Sequence, residues 1–288
     1  MIEYVGIDIG GTNIRVAGID KNNNIVSFNS VKTMENVKSA EDLYYKIKEL
    51  IERITSFQKI KGIGIGCPGA IDENGNITTC RNVPYLKEYP LVERLKKDFD
   101  VKVKIENDAR IAAYAEGLEG AGKEYSNVCY ITISTGLGGG VVIDKKIYKG
   151  GRNIGGYFSR MILDGENIAE NLVSGTAIIN KTKEKTKQNI VIAQEVFSLA
   201  QKNKDAQKIV DEFKKNLVNL LLNISITISP EIIVIGGGVM KGKKYFFNDV
   251  KKDFKEKAHN FAKDTKIVEA KLKEPGVIGA ALYVKNEK

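Results

Sequence analysis

The stretch "GIDIGGTNIRVAGID", residues 6–20, is two short β-branched runs joined by Gly-Gly-Thr-Asn. A second stretch of the same kind, "STGLGGGVVID" at 134–144, lies about 126 residues further on, and both end in a strand that finishes "ID". One glycine-rich turn between apolar runs is a tight hairpin and little else. Two with the same layout point to a duplicated supersecondary unit.

The rest of the chain alternates strand and helix signals around these two turns. "YVGIDIG", "IRVAGID" and "NIVSFNS" read as three strands. Residues 40–57 carry Leu43, Ile47, Leu50, Ile51, Ile54 and Phe57 at helical spacing. "IKGIGIG" (60–66) reads as a strand, "PLVERLKKDF" as a short helix, "VKVKIEN" as a strand and "ARIAAYAEGLEGAG" as a helix. The second unit opens at Asn127, with helices expected near 190–202 and 206–228. A strand follows at 231–238, then a helix over 244–263, the strand "KIVEAKL", and a last helix from Gly276. This is an α/β chain with two related halves and a cleft between them. We place the small N-terminal domain at 1–110 and the large one at 111–275, with the C-terminal helix, about 276–288, packing back on the first.

Bulk properties exclude several classes. The 288 residues leave ample room for a core, and 42% hydrophobic with 28% charged residues is ordinary for a globular chain. There is no apolar run of about 18 residues, so no membrane span is expected. The early acids Glu3 and Asp8 argue against a signal peptide, and the expected compartment is the cytoplasm. Net charge is +9, but the lysines are interleaved with acids, as in "KKDFKEKAHNFAKD" (251–264), a solvated helix face rather than a nucleic-acid surface. The three cysteines, Cys67, Cys80 and Cys129, and the one histidine, His259, have no zinc-ligand spacing, and the cysteines read as reduced thiols.

Glycine-rich turns bring backbone N–H groups close to a ligand, and clustered N–H groups favour oxyanions. Thr12 and Thr135 add hydroxyl donors, and Asn13 a polar head. Neither turn is a Walker loop, since no Lys-Ser/Thr follows, and neither leads into a helix as a dinucleotide fingerprint does. "VIGGGVMKG" (234–242) is a third glycine cluster, at the end of a strand, where flat ligands bind in α/β sheets or where the chain simply turns. Asp8, just before the first turn, is either a turn residue or a carboxylate near Mg²⁺. In "ENDARIAAYAEG" (106–117), Asn107 and Asp108 close a strand and open a helix. They can cap that helix, and a carboxylate there can also take a proton from a substrate hydroxyl, as phosphoryl transfer requires.

These segments, with "GIGIGCPGAID" (62–72), "RNVPYLKEYPLVERL" (81–95), "IIVIGGGVM" and "GVIGAALY", resemble the sugar kinases of the ROK family (repressors, uncharacterised frames and kinases) in order and across nearly the whole chain. The resemblance implies an actin-like ATPase (ribonuclease H-like) fold with ATP, Mg²⁺ and sugar in the interdomain cleft, and a homodimer. By that match Gly10, Gly11 and Thr12 with Thr135, Gly136, Gly138 and Gly139 hold phosphates, and Gly237 and Gly238 lie against adenosine. Gly69, Asn82 and Asn107 contact the sugar, and Asp108 is the base for its 6-hydroxyl.

One segment departs from the family. Where it has Ala-Gly-Glu-x-Gly-His followed by zinc-binding cysteines, this chain has "GGYFSRM" (155–161) and no cysteine run. Tyr157 and Arg160 replace the sugar-binding glutamate and histidine, so no zinc is expected and the sugar is held differently. Zinc-free members resembling this pattern include the N-acetylmannosamine kinases of bacterial sialic-acid breakdown, the substrate favoured here. A glucokinase or fructokinase type of hexose kinase is the alternative. A sugar-sensing regulator of the same fold is a further one, disfavoured because Asp8 leaves no room for a preceding DNA-binding domain. An actin-like ATPase without a sugar site is the weakest.

Overall fold

The computed structural model describes residues 1–56, 58–80 and 82–286. Phe57, expected at the end of a core helix, Arg81, and the last two residues of the expected C-terminal helix lie outside them. The chain divides into two compact units. One comprises residues 1–120, 149–154 and 272–288, the other 121–148 and 155–271.

In the first unit β1 (Tyr4–Ile9) and β2 (Asn13–Ile19) form the hairpin read from the sequence, and β3 (Ile25–Lys32) continues it antiparallel. After α1 (Thr33–Asn36) comes α2 (Ala40–Thr55), started by the Ser39 side chain, which accepts from the Asp42 amide at 3.1 Å. It buries Leu43, Ile47, Leu50, Ile51 and Ile54. The strand β4 (Gly62–Cys67) pairs parallel with β1, and the two-stranded β5 (Ala70–Ile71) and β6 (Ile77–Thr79) follow. After α3 (Leu91–Phe99), β7 (Lys102–Asn107) pairs parallel with β4 and leads directly into α4 (Asp108–Leu118). The sheet order is β3-β2-β1-β4-β7.

The C-terminal helix, Pro275–Asn286, lies on β1 and β4. Two facing glycines make room for it. A Cβ on Gly6 would stand 1.9 Å from the Val277 carbonyl oxygen, and one on Gly64, its register partner, 1.7 Å from that of Ala280. Gly6 and Gly64 are there because helix backbone touches sheet backbone.

The second unit repeats this plan. Its sheet is formed by β8 (Asn127–Ile133), β9 (Leu137–Ile143) and β10 (Lys146–Ile147), antiparallel in turn. A small hairpin follows, β11 (Ile162–Asp164) with β12 (Asn167–Ile168). The helices are α5 (Ala169–Leu172), α6 (Gly175–Thr186), α7 (Ala193–Ala200) and α8 (Lys204–Thr227). Then β13 (Ile232–Gly236) pairs parallel with β8, α9 (Phe247–Lys257) follows, and β14 (Lys266–Glu269) pairs parallel with β13. The order β10-β9-β8-β13-β14 matches the first sheet strand for strand.

The helix expected over 244–263 is broken. A 3-10 stretch, Gly238–Tyr245, precedes α9 and another, Asn260–Ala262, follows it. Phe246 leaves helical geometry at the junction because its ring is buried against Phe197 and Phe213. Gly242 packs on the same Phe197 ring, where a Cβ would come within 2.4 Å. The helix α6 carries no expectation from the sequence, since three lysines among its twelve residues hide its apolar stripe. Among the described residues no helix is long and apolar enough to cross a membrane.

Candidate functional site

In the first unit the polar residues collect at the carboxyl ends of β1, β4 and β7. Asn107 caps α4: its Oδ1 accepts from the amides of Ala109 at 3.1 Å and Arg110 at 3.2 Å. Its Nδ2 donates to the Gly69 carbonyl at 3.0 Å and to Asp108 Oδ1 at 3.1 Å. Gly69 sits at φ +132°, and a Cβ there would lie 1.9 Å from the Thr79 carbonyl, so only glycine fits. Asn82 packs on the first turn, with its Cβ 3.1 Å from where a Gly11 side chain would begin.

The capping geometry anticipated for Asn107 is therefore present, and it leaves the Asp108 carboxylate at the first position of the helix. Burial pushes Asp108 up to about 6, and the negative charge of Asp8 adds to the shift. A carboxyl that titrates near 6 is mostly ionised at neutral pH and still basic enough to serve as a general base. Asp8 is also raised by burial, against the opposing pull of Arg15, whose Nη1 lies 2.9 Å from Asp8 Oδ2. Arg15 is shared with Glu274 at 3.4 Å. Below Asn107, the buried Glu106 accepts the Asn107 amide at 2.8 Å and Arg110 Nη1 at 3.2 Å. Lys149 Nζ stands 2.7 Å from its other oxygen as an ion pair.

The first turn is closed by the Gly10 amide donating to the Asn13 carbonyl at 2.9 Å. Thr12 is exposed at its tip, and its carbonyl accepts from the Thr33 amide at 2.8 Å. Asp8, Gly10, Gly11, Thr12, Asn13, Gly69, Asn82, Asn107 and Asp108 thus belong to the first unit.

The remaining residues belong to the second unit. The turn Ser134–Gly136 is closed by the Ser134 amide on the Gly136 carbonyl at 2.9 Å, with Thr135 exposed. The start of α6 holds it from behind: the amides of Gly175 and Thr176 donate to the carbonyls of Ser134 at 2.7 Å and Thr135 at 3.2 Å. Gly138 is half-buried in β9, whereas Gly139 is buried, and a Cβ on it would meet the Phe158 ring at 2.5 Å. Tyr157 is half-buried and Arg160 exposed around the short 3-10 turn that seats Phe158. Gly237 turns at φ +94°, and a Cβ on it would lie 2.3 Å from the Ile133 carbonyl. Beside it the Gly238 carbonyl accepts from Gln194 Nε2 at 2.9 Å.

Sequence reasoning missed Glu170. Its Oε2 accepts the Leu137 amide at 3.1 Å and lies 2.7 Å from where a Gly136 Cβ would be. It lies 33 residues along the chain from Leu137 with no local motif linking the two. Among the described residues no group of three or more His, Cys, Asp or Glu side chains gathers as a metal site.

The sequence profile of the ROK family matches residues 4–287. A glucokinase of Halalkalibacterium halodurans is 30% identical, over 99% of this chain and 95% of its own length. An N-acetylmannosamine kinase of Vibrio vulnificus is 28% identical, over 85% of each chain. The crystal structure of a ROK hexokinase from Thermus thermophilus superposes with a TM-score of 0.84 at 27% identity, covering 97% of this chain and 96% of that one. The two repeated sheets are those of the actin-like ATPase fold. The chain belongs to the ROK family, as one of its sugar kinases.

Proposed function

We propose that this kinase transfers the γ-phosphoryl group of ATP to the 6-hydroxyl of a hexose or N-acetylhexosamine, with N-acetylmannosamine the preferred acceptor. The observation that carries the reading is Asp108, a crowded carboxylate raised to about 6 at the head of α4. In its ionised form it accepts the proton of the attacking hydroxyl. Asn107, bonded to Asp108 and to the Gly69 carbonyl, holds the sugar together with Gly69 and with Asn82, which packs on the first turn. Gly10, Gly11, Thr12 and Asn13 of one turn and Thr135, Gly136, Gly138 and Gly139 of the other present backbone and hydroxyl donors to phosphates. Gly237 and Gly238, where a side chain has no room or no role, face adenosine.

Mg²⁺ is held by few protein groups in kinases, commonly one or two carboxylates with phosphates and water completing its shell. Asp8, a single carboxylate at the foot of the first turn, fits that requirement. When bound, the ion neutralises charge on the β- and γ-phosphates. Arg15 holds the Asp8 carboxylate in place.

The acceptor follows from Tyr157 and Arg160. Arg160 donates and cannot accept, and a carbonyl on the sugar suits it better than another hydroxyl. An N-acetyl group at C2 supplies that carbonyl, and the Vibrio vulnificus relative is an N-acetylmannosamine kinase. A glucokinase reading has its own support, since the Halalkalibacterium halodurans glucokinase aligns over more of the chain. ADP release over a panel of glucose, mannose, fructose, N-acetylglucosamine and N-acetylmannosamine separates them. The expected kcat/KM ratio of N-acetylmannosamine to glucose is at least about 10², or roughly 2.7 kcal/mol. Equal turnover of glucose overturns the acceptor and keeps the sugar kinase. The family resemblance adds a homodimer, which sedimentation velocity tests.

A further inference from the structure

The junction of β7 and α4, which carries Asn107 and Asp108, rests on a buried charge pair. Glu106 and Arg110 are each 1% exposed at the side chain, and Arg110 Nη1 lies 3.2 Å from Glu106 Oε1. The same oxygen accepts the Asn107 backbone amide at 2.8 Å. Taking both charges out of water costs much of what their attraction returns, so such a pair adds little net stability over apolar side chains of similar size. What it fixes is direction, since the guanidinium presents its donors in one rigid fork.

The other bonds of that fork go to Asn153. Nη1 donates to Asn153 Oδ1 at 3.0 Å, and Nη2 to the Asn153 carbonyl at 2.7 Å. Residues 149–154 belong to the first unit, although the chain before and after them belongs to the second. This short segment is fastened at both ends. Lys149 Nζ pairs with Glu106 Oε2 at 2.7 Å and donates to the Tyr283 hydroxyl at 2.9 Å. Asn153 Nδ2 donates to the Ile71 carbonyl. Asn153 stands at φ +55°, a left-handed backbone that asparagine tolerates.

These bonds close a ring. Ile71 comes two residues after Gly69, whose carbonyl accepts Asn107 Nδ2 at 3.0 Å. From Asn107 the circuit runs through Gly69 and Ile71 to Asn153, then through Arg110 to Glu106 and back to the Asn107 amide. Gly69 and Asn107 are neighbours on it, and Asn107 also donates to Asp108 Oδ1 at 3.1 Å. Opening the ring at Asn153 releases Ile71 on one side and the Arg110 guanidinium on the other.

We propose that Arg110 and Asn153 are positioning residues of the sugar site, setting Gly69 and Asn107 at their working distance from Asp108. They act through those residues and not on the sugar itself. The proposal rests on the sugar-site assignment made above. The ring includes none of the residues assigned to phosphate or adenosine, so its loss weakens use of the acceptor and spares the nucleotide.

The test measures kcat and KM for N-acetylmannosamine, glucose and ATP, with stability to urea, in Asn153→Gly, Arg110→Lys, the double variant and Asn107→Ser. Glycine keeps the left-handed backbone and the carbonyl at 153 and removes only the side-chain bonds. Lysine keeps the charge beside Glu106 and loses the fork. Asn153 is half-buried in a turn, so its glycine variant should fold and decides the matter even where Arg110→Lys does not fold. Asn153→Gly should lower kcat/KM for the acceptor by at least about tenfold and leave the ATP KM within about twofold. Adding Arg110→Lys should cost no more than about a further twofold, because both changes open one ring. Undiminished acceptor kcat/KM in Asn153→Gly, an equal loss on the ATP side, or multiplied losses in the double variant overturns the proposal. A normal Asn153→Gly beside an impaired Asn107→Ser overturns the ring alone. No sugar turnover in the unaltered chain, or full activity in Asn107→Ser, overturns the sugar site and the ring with it.

Discussion

Asn107 makes two kinds of bond at once: its oxygen caps α4 through the amides of Ala109 and Arg110, while its nitrogen holds the Gly69 carbonyl at 3.0 Å. The two tasks can be separated by substitution. Asn107→Ser keeps an oxygen for the cap and loses the donor to Gly69. Asn107→Ala loses both, at a cost of about 1 kcal/mol in stability from the cap. We expect both variants to lose sugar kcat/KM by about tenfold or more, with only the alanine variant clearly less stable to urea. Full activity in the serine variant would make Asn107 a cap alone.

Asp108→Asn should lower kcat by at least about 10² while nucleotide still binds, as judged by calorimetry. Retention of more than about a tenth of kcat would leave Asp108 a helix-start residue only. In the unaltered chain kcat/KM should rise with pH through about 6, as the carboxyl ionises.

The same carboxyl has a signature in stability. Its folded pKa is raised, so the protonated form contributes stability that is complete below the unfolded value near 3.8 and is lost as pH rises through about 6. Asp108→Asn should therefore melt higher than the unaltered chain at pH 8, by about 2–4 °C, with the difference closing toward pH 4. Calorimetric melting at the two pH values measures it.

Glycines of equal type should differ sharply in what they tolerate. Gly64→Ala sets a methyl 1.7 Å from the Ala280 carbonyl, which is backbone and cannot turn aside. We expect a loss of about 3 kcal/mol or more, or failure to fold. Gly151→Ala meets nothing within 4 Å and should stay within about 0.5 kcal/mol. Chemical denaturation of the pair, with a normal Gly64→Ala variant as the contrary result, checks whether the C-terminal helix seats on the sheet as described.

Metal dependence should follow the side chains present. Cys67 and Cys80 are buried in the first unit's core and Cys129 in the second's. His259 accepts from the Phe261 amide at 3.4 Å. We expect purified chain to carry no stoichiometric zinc, to keep its activity through zinc chelation, and to stop turning over when Mg²⁺ is withdrawn. One zinc per chain by metal analysis would be the opposing outcome.

The sequence by itself determined the two hairpins, their duplication and the strand–helix alternation around them, because each is written in local patterns. Alternating β-branched residues, glycine turns and helical spacing act over a few residues and survive in both halves. It also placed Asn107 and Asp108 at a strand–helix junction, since capping residues announce a helix start. Tertiary structure alone decided the rest. The glycines at 6 and 64 read locally as turn or strand residues, yet their purpose is set by a helix more than 200 residues away. Glu170 reaches the Leu137 amide, and Phe246 breaks an amphipathic run to fill a cluster of rings. The physical reason is common to all of these. Their energy comes from contacts between segments distant in the chain, and such contacts exist only once the sheets have brought those segments together.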